Sequence, residues 1–142
     1  MAFIPEIVGQ LASALLLGGM VFFAAVTAPM VFIHLDAANA GKLIRAIFPW
    51  YYLYVIVTAA ISAGVYVVIL PWAAAGFGLA ALGALYARQG LMPQINHVCD
   101  AMLAGDENAG VVFNRLHKRS VRINAVGLLA AIAAVVHHAI AG

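Results

Sequence analysis

Charge is what this sequence has least of. Only 8% of its 142 residues are Asp, Glu, Lys or Arg, where a soluble domain carries about 25%. That is too little to cover a globule in water, so a soluble fold is excluded. The lone cysteine, Cys99, excludes an intramolecular disulfide and a cysteine metal cluster. The five acids, Glu6, Asp36, Asp100, Asp106 and Glu107, read as cap or loop residues, which leaves paired-carboxylate chemistry without a home. No P-loop, GxGxxG, HExxH or Ser-His-Asp order is present. Five histidines are present, but His137 and His138 are adjacent and point about 100° apart, while His34, His97 and His117 form no i, i+4 pair. No metal site is expected.

What the chain has is hydrocarbon. Hydrophobic residues make up 66% of it, and its mean hydropathy is +1.06. No charge occurs between Ala46 and Ala87, a stretch about twice the ~20 residues that one crossing needs, so the chain must turn within it. Leu70-Pro71-Trp72 is the place, because proline suits a first helical turn and tryptophan a membrane interface. Two more apolar runs, Ile7 to Ile33 and Val121 to Ala141, bring the count to four. The first is too long for a signal-peptide core and has no cation before it, so it reads as a retained helix. The expected fold is all-α: a four-helix transmembrane bundle forming a single domain over 1–142.

All seven cations fall in two connections. Lys42 and Arg45 lie between helices 1 and 2, and Arg88, Arg115, Lys118, Arg119 and Arg122 around the connection of helices 3 and 4. The positive-inside rule places both connections in the cytoplasm and both termini outside. Helix 2 is expected to start near Phe48-Pro49. Helices 3 and 4 outrun the membrane as a cytoplasmic hairpin, with Gly105 as C-terminal cap and Asp106 to Asn108 supplying capping oxygens. Symmetry about that turn sets Arg88 level with Ile123 and Asn124. Small residues four apart suggest helix contacts: Ala14 and Gly18, Ala60 and Gly64, Gly76 with Ala80 and Ala84, and Ala130 and Ala134.

The segment NRLHKRSVRIN, residues 114–124, carries four of the seven cations. Arg115, Lys118, Arg119 and Arg122 share one helical face, read as a snorkelling stripe for anionic lipid headgroups rather than a nucleic-acid surface. Asn114, His117, Val121 and Asn124 form a second strip. An amide facing lipid would go unpaired, so Asn124 should face another helix. Two readings stay open. Arg88 snorkels and Asn124 merely ties helices together, or Tyr51, Tyr52, Arg88, Asn96, His117 and Asn124 form a polar ligand pocket at the inner surface.

The motifs TAPMVF (27–32), IFPWYY (47–52), LMPQIN (91–96) and FNRLHKRSVRIN (113–124), in that order, resemble the transmembrane-protein-205-like family of small four-helix membrane proteins. The resemblance covers nearly the whole chain and implies the bundle without implying a reaction. It draws attention to Pro29, Phe48, Pro49, Tyr51, Pro93, His117, Ser120 and Asn124. A looser similarity joins Pro29 to Phe32 with a Pro-x-x-Phe element of small bacterial membrane protoporphyrinogen oxidases. That family opens helix 1 with a Lys and His pair, where this chain has Gly9 and Gln10.

Two classes of function follow. The first is a non-catalytic helper or scaffold, with lipid, a second copy or a membrane partner subunit as its neighbours. The second is a redox or porphyrin-handling enzyme binding haem through His34 or His117. A transport subunit is a further option. The first is preferred, because no catalytic constellation stands out and Gln10 takes the place of the histidine that the second would use.

Overall fold

A computed structural model describes residues 3–141, and within them it is helical with no strand. Four rods follow one another. α1 covers 3–34 as Phe3–Phe22, a wide π turn at Phe23–Thr27 and Ala28–His34. α2 is Ala37–Ile69. α3 covers 71–103 as Pro71–Tyr86, a second π turn at Ala87–Leu91 and Met92–Leu103. α4 is Ala109–Ala141.

Proline explains both π turns. Each ends two residues before a proline, Pro29 or Pro93, whose ring would collide with the carbonyl four residues back. Widening the turn removes the collision: Ala28 N–H bonds the Phe23 carbonyl, and Met92 N–H that of Ala87, both five residues back. Leu70 breaks the helix between α2 and α3 with φ −150° and ψ 83°, and Pro71 opens the next one. The hairpin turn closes as a Schellman motif. Gly105 takes φ +92°, Asp106 N–H bonds the Ala101 carbonyl at 3.1 Å and Gly105 N–H that of Met102 at 3.1 Å. Asp106 then caps α4, its carboxylate accepting from Asn108 N at 2.9 Å.

One boundary differs from expectation. α2 begins at Ala37, eleven residues before Phe48, and carries Pro49 in its interior. Asp36 is the reason at one end: its carboxylate accepts from Asn39 N at 3.0 Å and Asn39 Nδ2 at 2.6 Å. The same bonds hold its carboxyl below the usual 3.8. Arg45 is the reason further along, pinning this extra length to α3.

The rods pack in ring order, each against its sequence neighbours, and α1 meets α4 over the least surface. Leu16, Met20, Tyr52, Val55, Ala59, Tyr66, Phe77, Ala80 and Leu91 form the interior. The outside is apolar too, with Val68 87% and Ile140 80% exposed, which identifies lipid as the solvent. α1, α2 and α4 are long and apolar enough to cross a bilayer. α3 has a shorter apolar part, ending at Arg88, and one face of it is covered by α2 and α4: Ala73, Ala74, Phe77, Ala80, Ala84 and Ala87 are all buried.

The small-residue stripes of α3 and α4 do meet. A Cβ on Gly76 would lie 2.8 Å from the Ala130 carbonyl oxygen, and the Gly127 position is 3.6 Å from Ala80 Cα. Those of α1 and α2 do not: Gly18 and Gly64 have nothing within 4 Å, and α1 instead turns Gly9, Ser13, Leu16 and Met20 inward. The contact makes a prediction. Gly76→Ala should push α3 and α4 apart at a cost of about 1–3 kcal/mol, whereas Gly78→Ala, with open space around it, should be close to neutral. Thermal unfolding of both variants in detergent measures the difference.

Candidate functional site

The buried polar groups of α4 gather at its cytoplasm-predicted half, opposite two consecutive tyrosines of α2. Tyr51 and Tyr52 point about 100° apart. Tyr52 is fully buried, and its hydroxyl accepts from Asn124 Nδ2 at 3.0 Å while sharing a hydrogen bond with Ser120 Oγ at 3.0 Å. Tyr51 donates its hydroxyl to Asn124 Oδ1 at 3.3 Å. Asn124 Nδ2 also reaches the Ser120 carbonyl at 3.3 Å. Ser120 and Asn124, four residues apart on one face, thus bridge diagonally across the bundle to α2.

An aromatic layer encloses this network. Phe23, the first residue of the α1 π turn, stacks on Tyr51 with centroids 4.1 Å apart, and Phe48 stacks on Tyr52 at 5.6 Å. The wide turn forced by Pro29 begins at the residue that makes the closest of these stacks. Tyr54 holds α1 a turn further in, donating to the Leu15 carbonyl.

The other candidate residues lie elsewhere. Arg88 donates Nε to the Pro49 carbonyl at 3.2 Å. It is not level with Asn124, because it is at Gly83, five residues earlier, that an added Cβ would lie 3.2 Å from the Ile123 side chain. The α3 π turn contributes to this offset, since it spends an extra residue on the way back from the hairpin. Asn96 belongs to a separate cluster: Arg45 Nε donates to its Oδ1 and Arg45 NH2 to its carbonyl, both at 3.2 Å, while Arg45 NH1 pairs with Asp100 at 2.9 Å. His117 is exposed and stacks on Phe113 at 5.8 Å, on a length of α4 accompanied only by α3. His34 is exposed at the end of α1. Among the described residues no three His, Cys, Asp or Glu side chains come together as a metal site.

A family model described as a domain of unknown function, DUF4149, matches residues 11–104. The chain belongs to this family. The matched DUF4149 segment runs from the first turns of α1 to the end of α3 and contains Pro29, Pro49 and Pro93, the Tyr51-Tyr52 pair and the Arg45 cluster. Ser120 and Asn124, the α4 half of the network, lie beyond it. No curated protein and no solved structure matches the chain.

Reading the residues missed Arg45 and Asp100 as partners and Phe23 as a member of the network. Ser120 was singled out by the family resemblance, and its four-residue spacing from Asn124 was a second signal. Arg45 had only its sign and its place on the facing connection.

Two outcomes follow. Asn124→Leu removes every bond of the amide and strands the Tyr51 hydroxyl, and should lower stability by about 1–3 kcal/mol, while Tyr51→Phe, which leaves Asn124 Oδ1 without its partner but keeps the bonds of Nδ2, should cost less, about 0.6 kcal/mol, the usual membrane value; unfolding in detergent compares them. Arg45 holds the Asp100 carboxyl below its ordinary 3.8. A depressed folded-state value gives stabilisation that is present above the ordinary value and is lost as pH falls through the folded one. Hydrogen exchange across 92–103 should therefore speed up between about pH 5 and pH 3 beyond the intrinsic change, and Asp100→Asn should abolish that extra dependence.

Proposed function

We propose that this chain is a non-catalytic helper or scaffold of the membrane, oriented by its cations and locked at its cytoplasmic end by the tyrosine and asparagine network. The observation that carries this reading is the closure of that network. Both ends of the Asn124 amide are engaged within the protein, as are the Tyr51 and Tyr52 hydroxyls. A group poised for catalysis keeps a donor or acceptor for its substrate; these keep theirs for one another.

The position in the bilayer has its own support. Trp50 is 73% and Trp72 80% exposed, and the helix between them rises ~30 Å, the thickness of the hydrocarbon. Two tryptophans at that spacing suit the two interfaces. The network then sits just inside one interface, and the 92–117 hairpin projects beyond it. With the cations on that side, the termini are outside and the hairpin is cytoplasmic.

Arg115, Lys118, Arg119 and Arg122 are all exposed, on the face expected for anionic headgroups. Arg88 adds to the same chemistry: its Nε is held by Pro49, and its two terminal nitrogens make no hydrogen bond among the described residues, leaving them for a phosphate or carboxylate. A ligand pocket involving Asn96 or His117 rests on the sequence alone, as does a partner subunit or second copy. Kinship with the transmembrane-protein-205-like proteins is supported by the four motifs, three of which fall inside the matched segment. The haem reading draws less support, because His34 and His117 are exposed whereas an axial ligand sits between packed helices.

Reporter fusions at Gly105 and Gly142 test the orientation: activity in the cytoplasm at the first and outside at the second is expected, and the reverse pattern overturns the topology. For the headgroup contact, Arg115, Lys118, Arg119 and Arg122 changed together to Gln should remove the preference of the reconstituted protein for anionic over zwitterionic lipid, read by lipid retention on purification. A preference that survives the fourfold change assigns the contact elsewhere.

A further inference from the structure

The seam between α1 and α4 is the least closed contact of the ring, and a cavity of about 160 Å³ opens in it toward the termini. Leu17 of α1 and Val135 of α4 form its sides, Tyr66 and Phe77 its floor, and Gln10 and His138 its outer edge. The floor is rigid. Tyr66 is 2% exposed, stacked on Phe77 at 5.6 Å and against the His138 ring at 4.8 Å. Ser13, also in the lining, donates its one proton to the Gly9 carbonyl at 2.7 Å and lies 3.3 Å from Ser62 Oγ, so it turns no donor toward the space. The lining is almost wholly apolar.

An apolar space of ~150 Å³ stays dry and takes a benzene-sized hydrocarbon. Water is therefore not its occupant. The surfaces flanking the seam, Leu11 on α1 and Ile132 and Val136 on α4, are exposed hydrocarbon at 60%, 39% and 49%, so what reaches the opening from the side is the bilayer interior. Its outer edge changes character: Gln10 and His138 can donate hydrogen bonds at the level of the interface.

From this geometry we infer that the α1–α4 seam is a binding site for one acyl chain of a bilayer lipid in the leaflet facing the termini. The chain segment of about six carbons fills the space over Tyr66 and Phe77, and the ester group at its head lies against Gln10 and His138. The site rests on the membrane-spanning reading of the chain, and it occupies the opposite end of the bundle from the Asn124 network. It gives the scaffold a leaflet-specific lipid as its structural partner, one that completes the ring where the protein leaves it open.

The experiment uses the full chain reconstituted in nanodiscs containing a phospholipid with a diazirine on its acyl chain. Photolabelling of Leu17 and Val135 should exceed that of Val68, an outward residue of the same half of the bundle, by about tenfold, which corresponds to ~1.4 kcal/mol of preference. Val135→Trp fills the space and should remove the excess while leaving Val68 labelled. Should Val135→Trp fail to fold, Leu17→Phe intrudes on the space from the other wall and is read in the same way. Equal labelling of seam and surface overturns the site, as does an excess untouched by the filling variant, and so does photocapture of a second copy at Val135 in place of lipid. An isoprenoid probe that labels the seam while the phospholipid does not overturns the acyl assignment. Val68 separates the two readings: if it too stays unlabelled, the membrane placement has failed rather than the seam.

Discussion

A backbone carbonyl packed between helices has no water to fall back on, and that constraint shapes one end of this bundle. Three of its four helices carry an interior proline there: Pro29, Pro49 and Pro93. Each removes an N–H and crowds a carbonyl one turn back. α1 and α3 respond by widening to π turns and so recover bonds from Ala28 and Met92. α2 keeps its α-helical course through Pro49, which leaves the Arg45 carbonyl four residues back without the proline's N–H; the Pro49 carbonyl itself receives Arg88 from α3.

The consequence reaches the polar network. The α1 wide turn begins at Phe23, whose ring lies on Tyr51, and Tyr51 is held in turn by Asn124. Buried polar groups in a membrane protein are worth little each, about 0.6 kcal/mol, so affinity alone does not explain a four-member network. Specificity does. A diagonal bridge from α2 to α4 fixes the rotation of both helices, which apolar packing of Ala and Gly stripes leaves loosely determined. Arg45, Asn96 and Asp100 do the same for the exposed lengths of α2 and α3 beyond the network, where solvent weakens each bond but two elements share them.

Much of this was legible in the sequence. Hydropathy and length gave the four rods, Pro71 and Gly105 the turns, and an amide in an apolar run announced that Asn124 faces a neighbour. Three things were not legible, each for a physical reason. The start of α2 was hidden because Pro49 reads as a first-turn residue, whereas Asp36 and Arg45 stabilise another eleven residues before Phe48. The level of Arg88 was hidden in part by the π turn, whose one extra residue has no signature except the proline that follows it. His117 lies within about 20° of Asn124 on the helical wheel, yet it is exposed, because angle says which way a side chain points and not whether a neighbour is there.

The two ends of the bundle differ in kind. At the cytoplasm-predicted end, aromatic stacking, hydrogen bonds and an ion pair join α1, α2, α3 and α4 into one unit. At the other end two cavities flank the last turns of α4, one against Trp72 and Gly76 and one in the α1 seam, with His137 at the first and His138 at the second. Two consecutive residues point about 100° apart, so a helix end with loose packing on both sides necessarily shows one histidine to each gap. Packing defects cost stability in proportion to the dispersion contacts forfeited, and a chain rich in alanine could have closed these gaps with leucine. That it leaves them open where lipid is the solvent, and joins all four helices at the other end, is the arrangement expected of a protein whose fixed part is one half of the bundle and whose adaptable surface is the other.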